Sequence, residues 1–169
     1  MKKFQKFETA RLIGFIPNLE FLDEYAAMLA QQDFINCYGV YFDRQKAEER
    51  ILADLEKWQK FGFGPWYFRD KNSGEFVGRG GLNICEVEGV REVELAYAIK
   101  PNFWGRGVAK EIGEFSLEFA KNLGLKKLVC FTLPTNSQSL SVMKKCGFVF
   151  EKDFIYRDRP HKLHRLTLS

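Results

Sequence analysis

Cysteine is scarce in this sequence: four residues in 169, Cys37, Cys85, Cys130 and Cys146, far apart and with no CxxC pair. That spacing excludes the common zinc-ligand patterns and argues against a disulfide framework, so reduced thiols in a cytoplasmic protein and no metal are expected. No apolar run approaches the roughly 20 residues that span a bilayer, so a membrane partner is not expected. The opening "MKKFQKFETARL" carries positive charge but lacks the continuous apolar region of about 7–15 residues that a secretory leader uses. Blocks of one charge sign are missing too. The 26 basic and 22 acidic residues leave a net charge of only +4, and they interleave in "AEERILADLEKW" and "KEIGEFSLEFAKN" in the manner of solvated helix faces. This argues against a nucleic-acid surface and leaves room for a small anionic ligand. Only five prolines occur, each beside a change of pattern, as suits a residue with no backbone donor.

What is present is the composition of a globular chain, with 46% hydrophobic and 28% charged residues, at a length that suits one domain spanning 1–169. "RLIGFI" reads as a first strand. "NLEFLDEYAAMLAQQ" reads as a helix capped by Asn18, with Phe21, Leu22, Tyr25, Met28 and Leu29 at helical spacing. A second helix, about Arg44 to Lys60, places Ala47, Ile51, Leu55 and Trp58 on one face. "WYFRDKNSGEFVGRGGLNI" is a hairpin turning at "DKNSG", and "EVELAYAIK" alternates as a strand. A long helix follows from about Arg106, with Val108, Ile112, Phe115 and Phe119 inward, closing at Gly124. The strand "KKLVCFTL", a short helix from Asn136 to Gly147 and two closing strands, the last "KLHRLTLS", complete the order. The expected fold class is therefore α/β: a mixed sheet of about seven strands flanked on both faces by about four helices, the long helix joining parallel neighbours.

Between strand and long helix stands "NFWGRGVAKEI", residues 102 to 112. A tight glycine turn into a helix aims unpaired N–H groups and the positive end of the helix dipole at one point, a ready site for phosphate. A packing turn at a helix start explains the two glycines equally well. The dinucleotide fingerprint does not fit, because Lys110 stands where a third glycine is needed and "FTLPTN" supplies no acid at the next strand's end. The triphosphate loop GxxxxGK[ST] is absent.

The segment does resemble the acetyl-coenzyme A motif of the GNAT superfamily of N-acetyltransferases, Q/R-x-x-G-x-G/A. Trp104, Gly105, Arg106, Gly107, Val108 and Ala109 occupy the pattern, with Trp in place of Gln or Arg. "ELAYAIKPNFWGRGVAKEI" is similar over its whole length to the ribosomal-protein N-terminal (alanine/serine) acetyltransferases, which carry Trp at that place in runs such as "WGKGYATEA". "ETARLIGFI" looks like their first strand and "NSQSLSVMKKCGF" like their late segment. The resemblance implies a GNAT fold and acetyl-coenzyme A as co-substrate. It implies that main-chain groups of Gly105, Arg106, Gly107, Val108, Ala109 and Lys110 hold the pyrophosphate, with Arg106 and Lys110 either touching it or merely solvated. It further implies that Tyr97, Ala98 and Ile99 pair with the pantetheine arm like an added strand, and that Asn136 touches that arm. As a plain helix cap, Asn136 needs no such role.

Acetyl transfer to an amine needs an ammonium proton removed and a thiolate released. Glu94 on the cofactor strand matches a family carboxylate and is the candidate base, with Glu92 on the same face as the alternative. Ser139 matches a serine placed by the thiol as a proton donor, with solvent as the alternative. Elsewhere in the superfamily a tyrosine serves in the last helix, where this chain has Met143. The aromatic group Tyr38, Tyr41, Phe42, Trp58, Phe61, Phe63 and Trp66 falls in the acceptor region of the family or in the core. The acceptor stays open between a protein N-terminus and a small-molecule amine, as does monomer against homodimer. The competing reading is a coenzyme-binding sensor or scaffold that transfers nothing.

Overall fold

A computed structural model describes residues 6–169; residues 1–5, the start of the stretch read for a leader, lie outside them. The described strands form one sheet in the order β1-β2-β3-β4-β5-β6-β8-β7. They are β1 (Lys6–Glu8), β2 (Leu12–Phe15), β3 (Pro65–Asp70), β4 (Phe76–Val87), β5 (Val90–Ile99), β6 (Lys127–Thr132), β7 (Val149–Tyr156) and β8 (Arg159–Thr167). The helices are α1 (Leu22–Leu29), α2 (Gln32–Tyr38), α3 (Arg44–Phe61), α4 (Val108–Asn122) and α5 (Ser137–Lys145). The sheet is mixed, as expected, with eight strands rather than about seven and five α-helices rather than about four. The additions are β1, three residues long, and α2, whose one fully buried residue is Phe34.

The chain gathers into two compact units. The first comprises the chain up to Gly80 together with Tyr97–Val108. Here β2 pairs antiparallel with β1 and β3, Leu12 opposite Asp70. Asn18 caps the entry to the first helix, its side-chain oxygen accepting from the Glu20 N–H at 2.8 Å, but the first turn is a 3-10 turn, Leu19–Phe21. The predicted apolar stripe is buried: Phe21, Leu22, Tyr25, Met28 and Leu29 pack with Tyr67, Phe76 and Ala98. α3 is held between an Asp43 cap and Gly62 in the left-handed conformation. Its inward stripe is Ala47, Ile51 and Asp54, with Leu55 and Trp58 only half-buried. Asp54 is accommodated because Arg79 donates to it twice at 2.9 Å and the Tyr67 hydroxyl at 3.2 Å. Burial pushes the Asp54 carboxyl up, but Arg79 outweighs that and holds it below its ordinary value.

The β3–β4 hairpin turns as the sequence indicates. The Asp70 carboxylate accepts from the main-chain N–H groups of Asn72 and Ser73 at 2.9 and 2.8 Å, the local capping that makes Asp a turn residue.

The second unit comprises Gly81–Ala96 and Ala109–Ser169. β4 and β5 are joined by Glu88 and Gly89, both at positive φ, a two-residue connection open only to antiparallel neighbours. β5 and β6 pair parallel, as expected of strands joined by the long helix, and their register is a single position, Glu94 opposite Val129. The buried stripe of α4 is Val108, Ile112, Ser116 and Ala120. Phe115 and Phe119, expected inward, are half-buried and stack on each other at 6.1 Å. β8 lies antiparallel to β6 and β7, and the outer strand β7 is bulged between Phe150 and Lys152.

Candidate functional site

In the first unit the candidate coenzyme turn is built from the end of β5. Pro101–Phe103 makes one 3-10 turn, and the chain then passes through Gly105 and Gly107 at φ 72° and 76°. These are left-handed values that glycine adopts without the steric penalty of a Cβ. Two left-handed residues in three delay the helix, so α4 starts at Val108 rather than Arg106. The N–H groups of its first three residues, from Val108 to Lys110, have no acceptor within the helix.

The turn is tied down from two directions. The Trp104 indole N–H donates to the Ile99 carbonyl at 2.8 Å. That bond spans the turn's approach, so the tryptophan that departs from the Gln/Arg pattern braces the turn. From the far end of the chain, Arg11 donates to the Arg106 carbonyl at 2.5 Å. Its other terminal nitrogen lies 3.5 Å from where a Cβ on Gly107 would sit. Arg11 is the residue that sequence reasoning missed, since a contact 95 positions away has no local signal. Arg106 itself lies over the Phe103 ring at 5.5 Å. Upstream, Ala98 and Ile99 are buried and Tyr97 is half-buried.

In the second unit, Ala109 and Lys110 open α4, and Lys110 pairs with Glu114 one turn on at 2.7 Å. Glu94 is 8% exposed and accepts from the Asn83 side-chain amide at 2.9 Å. Its charge is felt by Cys130, whose thiol is pushed well up, first by burial and then by this carboxylate. Glu92, equally buried, differs in its partners: Arg165 at 2.9 Å and Lys127 at 3.6 Å.

Asn136 caps α5, its side-chain oxygen accepting from the Ser139 N–H at 3.1 Å. Ser139 is buried rather than lying on the helix surface. Met143 is also buried, 1% exposed, and packs as a core residue. The thiols are free: Cys37 is half-buried, and Cys85, Cys130 and Cys146 are buried. An open groove of about 730 Å³ between α5 and the final strands, lined by Leu140, Lys144, Phe148, Phe150 and His164 among others, contains none of the predicted site residues.

Of the aromatic group, Tyr38 and Phe42 pack against the first unit's core. Trp66 is buried edge-on to Trp58 at 4.4 Å, and the Trp58 indole donates to the Pro65 carbonyl. Tyr41 is exposed. For most of these, packing accounts for the residue.

The family model described as the acetyltransferase (GNAT) domain matches residues 17–149. The chain belongs to the GNAT acetyltransferases. As a member, it is an acetyl-coenzyme A-dependent acyltransferase. Among curated relatives it is similar to the uncharacterized protein YkkB of Bacillus subtilis, 23% identical over 80% of each chain. Among solved structures it is similar to an acetyltransferase from Agrobacterium tumefaciens, with a TM-score of 0.82 and 23% identity over 95% of this chain and 93% of that one. It is also similar to the ribosomal-protein-S5-alanine acetyltransferase from Vibrio fischeri, with a TM-score of 0.75 and 17% identity over 96% of both chains. At these identities the likeness to solved structures is one of fold. The turn from Trp104 to Lys110 lies inside the matched span, as do Glu94, Asn136 and Ser139. No helix among the described residues is long and apolar enough to cross a membrane.

Proposed function

We propose that this GNAT domain, spanning 1–169, moves acetyl from acetyl-coenzyme A to a primary amine by direct attack within a ternary complex. The amine is a protein N-terminus or a small molecule. Main-chain groups from Gly105 to Lys110 hold the pyrophosphate, supported by the two left-handed glycines and the bracing of Trp104 and Arg11. Tyr97, Ala98 and Ile99 pair with the pantetheine arm, and Asn136 contacts it while capping α5. Ser139 protonates the departing thiolate. Buried, free thiols support a reducing, cytoplasmic setting, and the acting species is a monomer or homodimer.

The observation that carries the reading is the burial of two carboxylates, Glu92 and Glu94, on β5. Glu92 is met by Arg165 and Lys127, and Glu94 accepts from the Asn83 side-chain amide at 2.9 Å. In this reading Glu94, buried on the strand that meets the coenzyme, takes the ammonium proton directly or through water as the general base.

Glu94→Gln keeps the shape and the contact with Asn83 and deletes the base. Thiol release from acetyl-coenzyme A in the presence of a peptide and amine panel should fall by about 10²–10⁴-fold at low pH, where the acceptor is protonated. The deficit should shrink as pH rises and the amine frees itself. Coenzyme affinity should stay as in the parent. A variant with the parental pH profile would remove Glu94 from the role.

A further inference from the structure

Lys100, immediately after β5, donates its main-chain N–H to the Val77 carbonyl in β4 at 2.8 Å. Backbone groups of successive strand residues point to alternate edges. Lys100 and Ala98 therefore address β4, and Tyr97 and Ile99 present their N–H and C=O groups to the opposite edge. The Ile99 carbonyl is taken by Trp104. The Tyr97 carbonyl and the Ile99 N–H are an acceptor and a donor two residues apart on that edge. A parallel partner residue meets this pair with its own N–H and C=O.

Both groups are engaged by one side chain. The Tyr38 hydroxyl donates to the Tyr97 carbonyl at 3.3 Å, and the Ile99 N–H faces the same oxygen. Tyr38 is the last residue of α2, which ends at Gly39 in the left-handed conformation with its N–H on the Ile35 carbonyl at 2.7 Å. Its ring stacks on buried Phe34, centroids 4.2 Å apart and planes 18° from parallel. Helix end and stacked ring thus deliver a hydroxyl to the end of β5, where it does with one oxygen what a peptide unit does with two atoms. Burial and then the neighbouring Cys37 push the phenol well above its ordinary value, so it remains a donor.

We propose that Tyr38 is a displaceable plug: its hydroxyl competes with an amide of the coenzyme's pantetheine arm for the Tyr97 carbonyl and the Ile99 N–H, and coenzyme binding swings it away. This rests on the reading that the arm pairs with β5. The plug gives the Tyr97 carbonyl a donor, and it taxes affinity, because the fraction of molecules with the edge open limits apparent binding.

The test is Tyr38→Phe, which retains ring, stack and bulk and removes the oxygen. Calorimetry should show coenzyme A binding about two- to ten-fold more tightly, the range of one net hydrogen bond. Adenosine 3′,5′-bisphosphate, which has no arm, should bind the parent and the variant alike. In the parent, the Ile99 amide should exchange with solvent more slowly than in the variant, and saturating coenzyme A should abolish the difference. A tyrosine with a merely structural role gives the opposite sign: a lower melting temperature with coenzyme binding weakened or unmoved, and that result overturns the plug. Equal tightening for both ligands overturns it as well, since the gain then lies outside the arm. If the parent binds the bisphosphate but gains nothing from the arm, the pairing with β5 fails and the plug with it. If the parent binds neither ligand, the proposed coenzyme site itself fails.

Discussion

Trp104 shows how one residue can depart from a motif and still serve it. The motif asks for Gln or Arg, and the sequence marks the tryptophan as an exception without saying what it does. In the structure its indole closes a five-residue loop onto Ile99, a function of its donor and not of its bulk. Trp104→Phe should therefore lower unfolding free energy by about 1 kcal/mol, the net worth of a neutral hydrogen bond, measured by denaturant titration. A variant as stable as the parent would mean that the ring alone holds the turn. Glu94 and Glu92 make the same point about legibility. Two carboxylates on one strand are equivalent in sequence, and nothing local indicates that Arg165, 73 positions away, reaches Glu92.

At the scale of elements, signals confined to a few adjacent residues were readable. Asn18 and Asn136 act as caps, Gly62 and Gly124 stand in the left-handed conformation past helix ends, and Asp70 organises its hairpin. Elements whose stability comes from elsewhere were not. β1 has three residues and exists through its pairing with β2, and α2 buries one aromatic in seven positions, too few for a period to emerge. α4 starts two residues later than its apolar spacing indicates, because Gly105 and Gly107 at positive φ hold the chain out of the helix until Val108. For α5 the cap is testable by itself. Asn136→Ala should cost about 1 kcal/mol of stability, and Asn136→Asp, which preserves an acceptor, should cost little. Thermal melts of the two variants that coincide would show that the side-chain cap contributes nothing.

Across the whole molecule, the least legible feature is the Asp54–Arg79 pair. The sequence places Asp54 on a helical face next to Leu55 and gives no hint that β4 brings a guanidinium to it. Asp54 has a lowered carboxyl value in the folded protein, so its contribution is fully present above its unfolded value of about 3.9 and is lost as pH falls through the folded one. Stability should thus decline in acid, partly through this group. Asp54→Ala leaves Arg79 buried without its partner and should cost about 3–5 kcal/mol at neutral pH, with a shallower decline below pH 4 than the parent. Urea unfolding across pH 2–7 reads both, and parallel acid slopes would exclude Asp54 from the acid response.

The bulge in β7 has a consequence for how this sheet ends. A strand with Val149, Phe150 and Ile155 exposed invites another chain to extend the ladder. Between Phe150 and Lys152 the register slips, and Glu151, Lys152 and Asp153 there are engaged by Arg165, Glu88 and Lys162. An incoming strand can follow the outer edge for only two residues before it meets a kink and a row of committed charges. The kink and the paired charges thus work against another chain extending the ladder along this stretch of the edge.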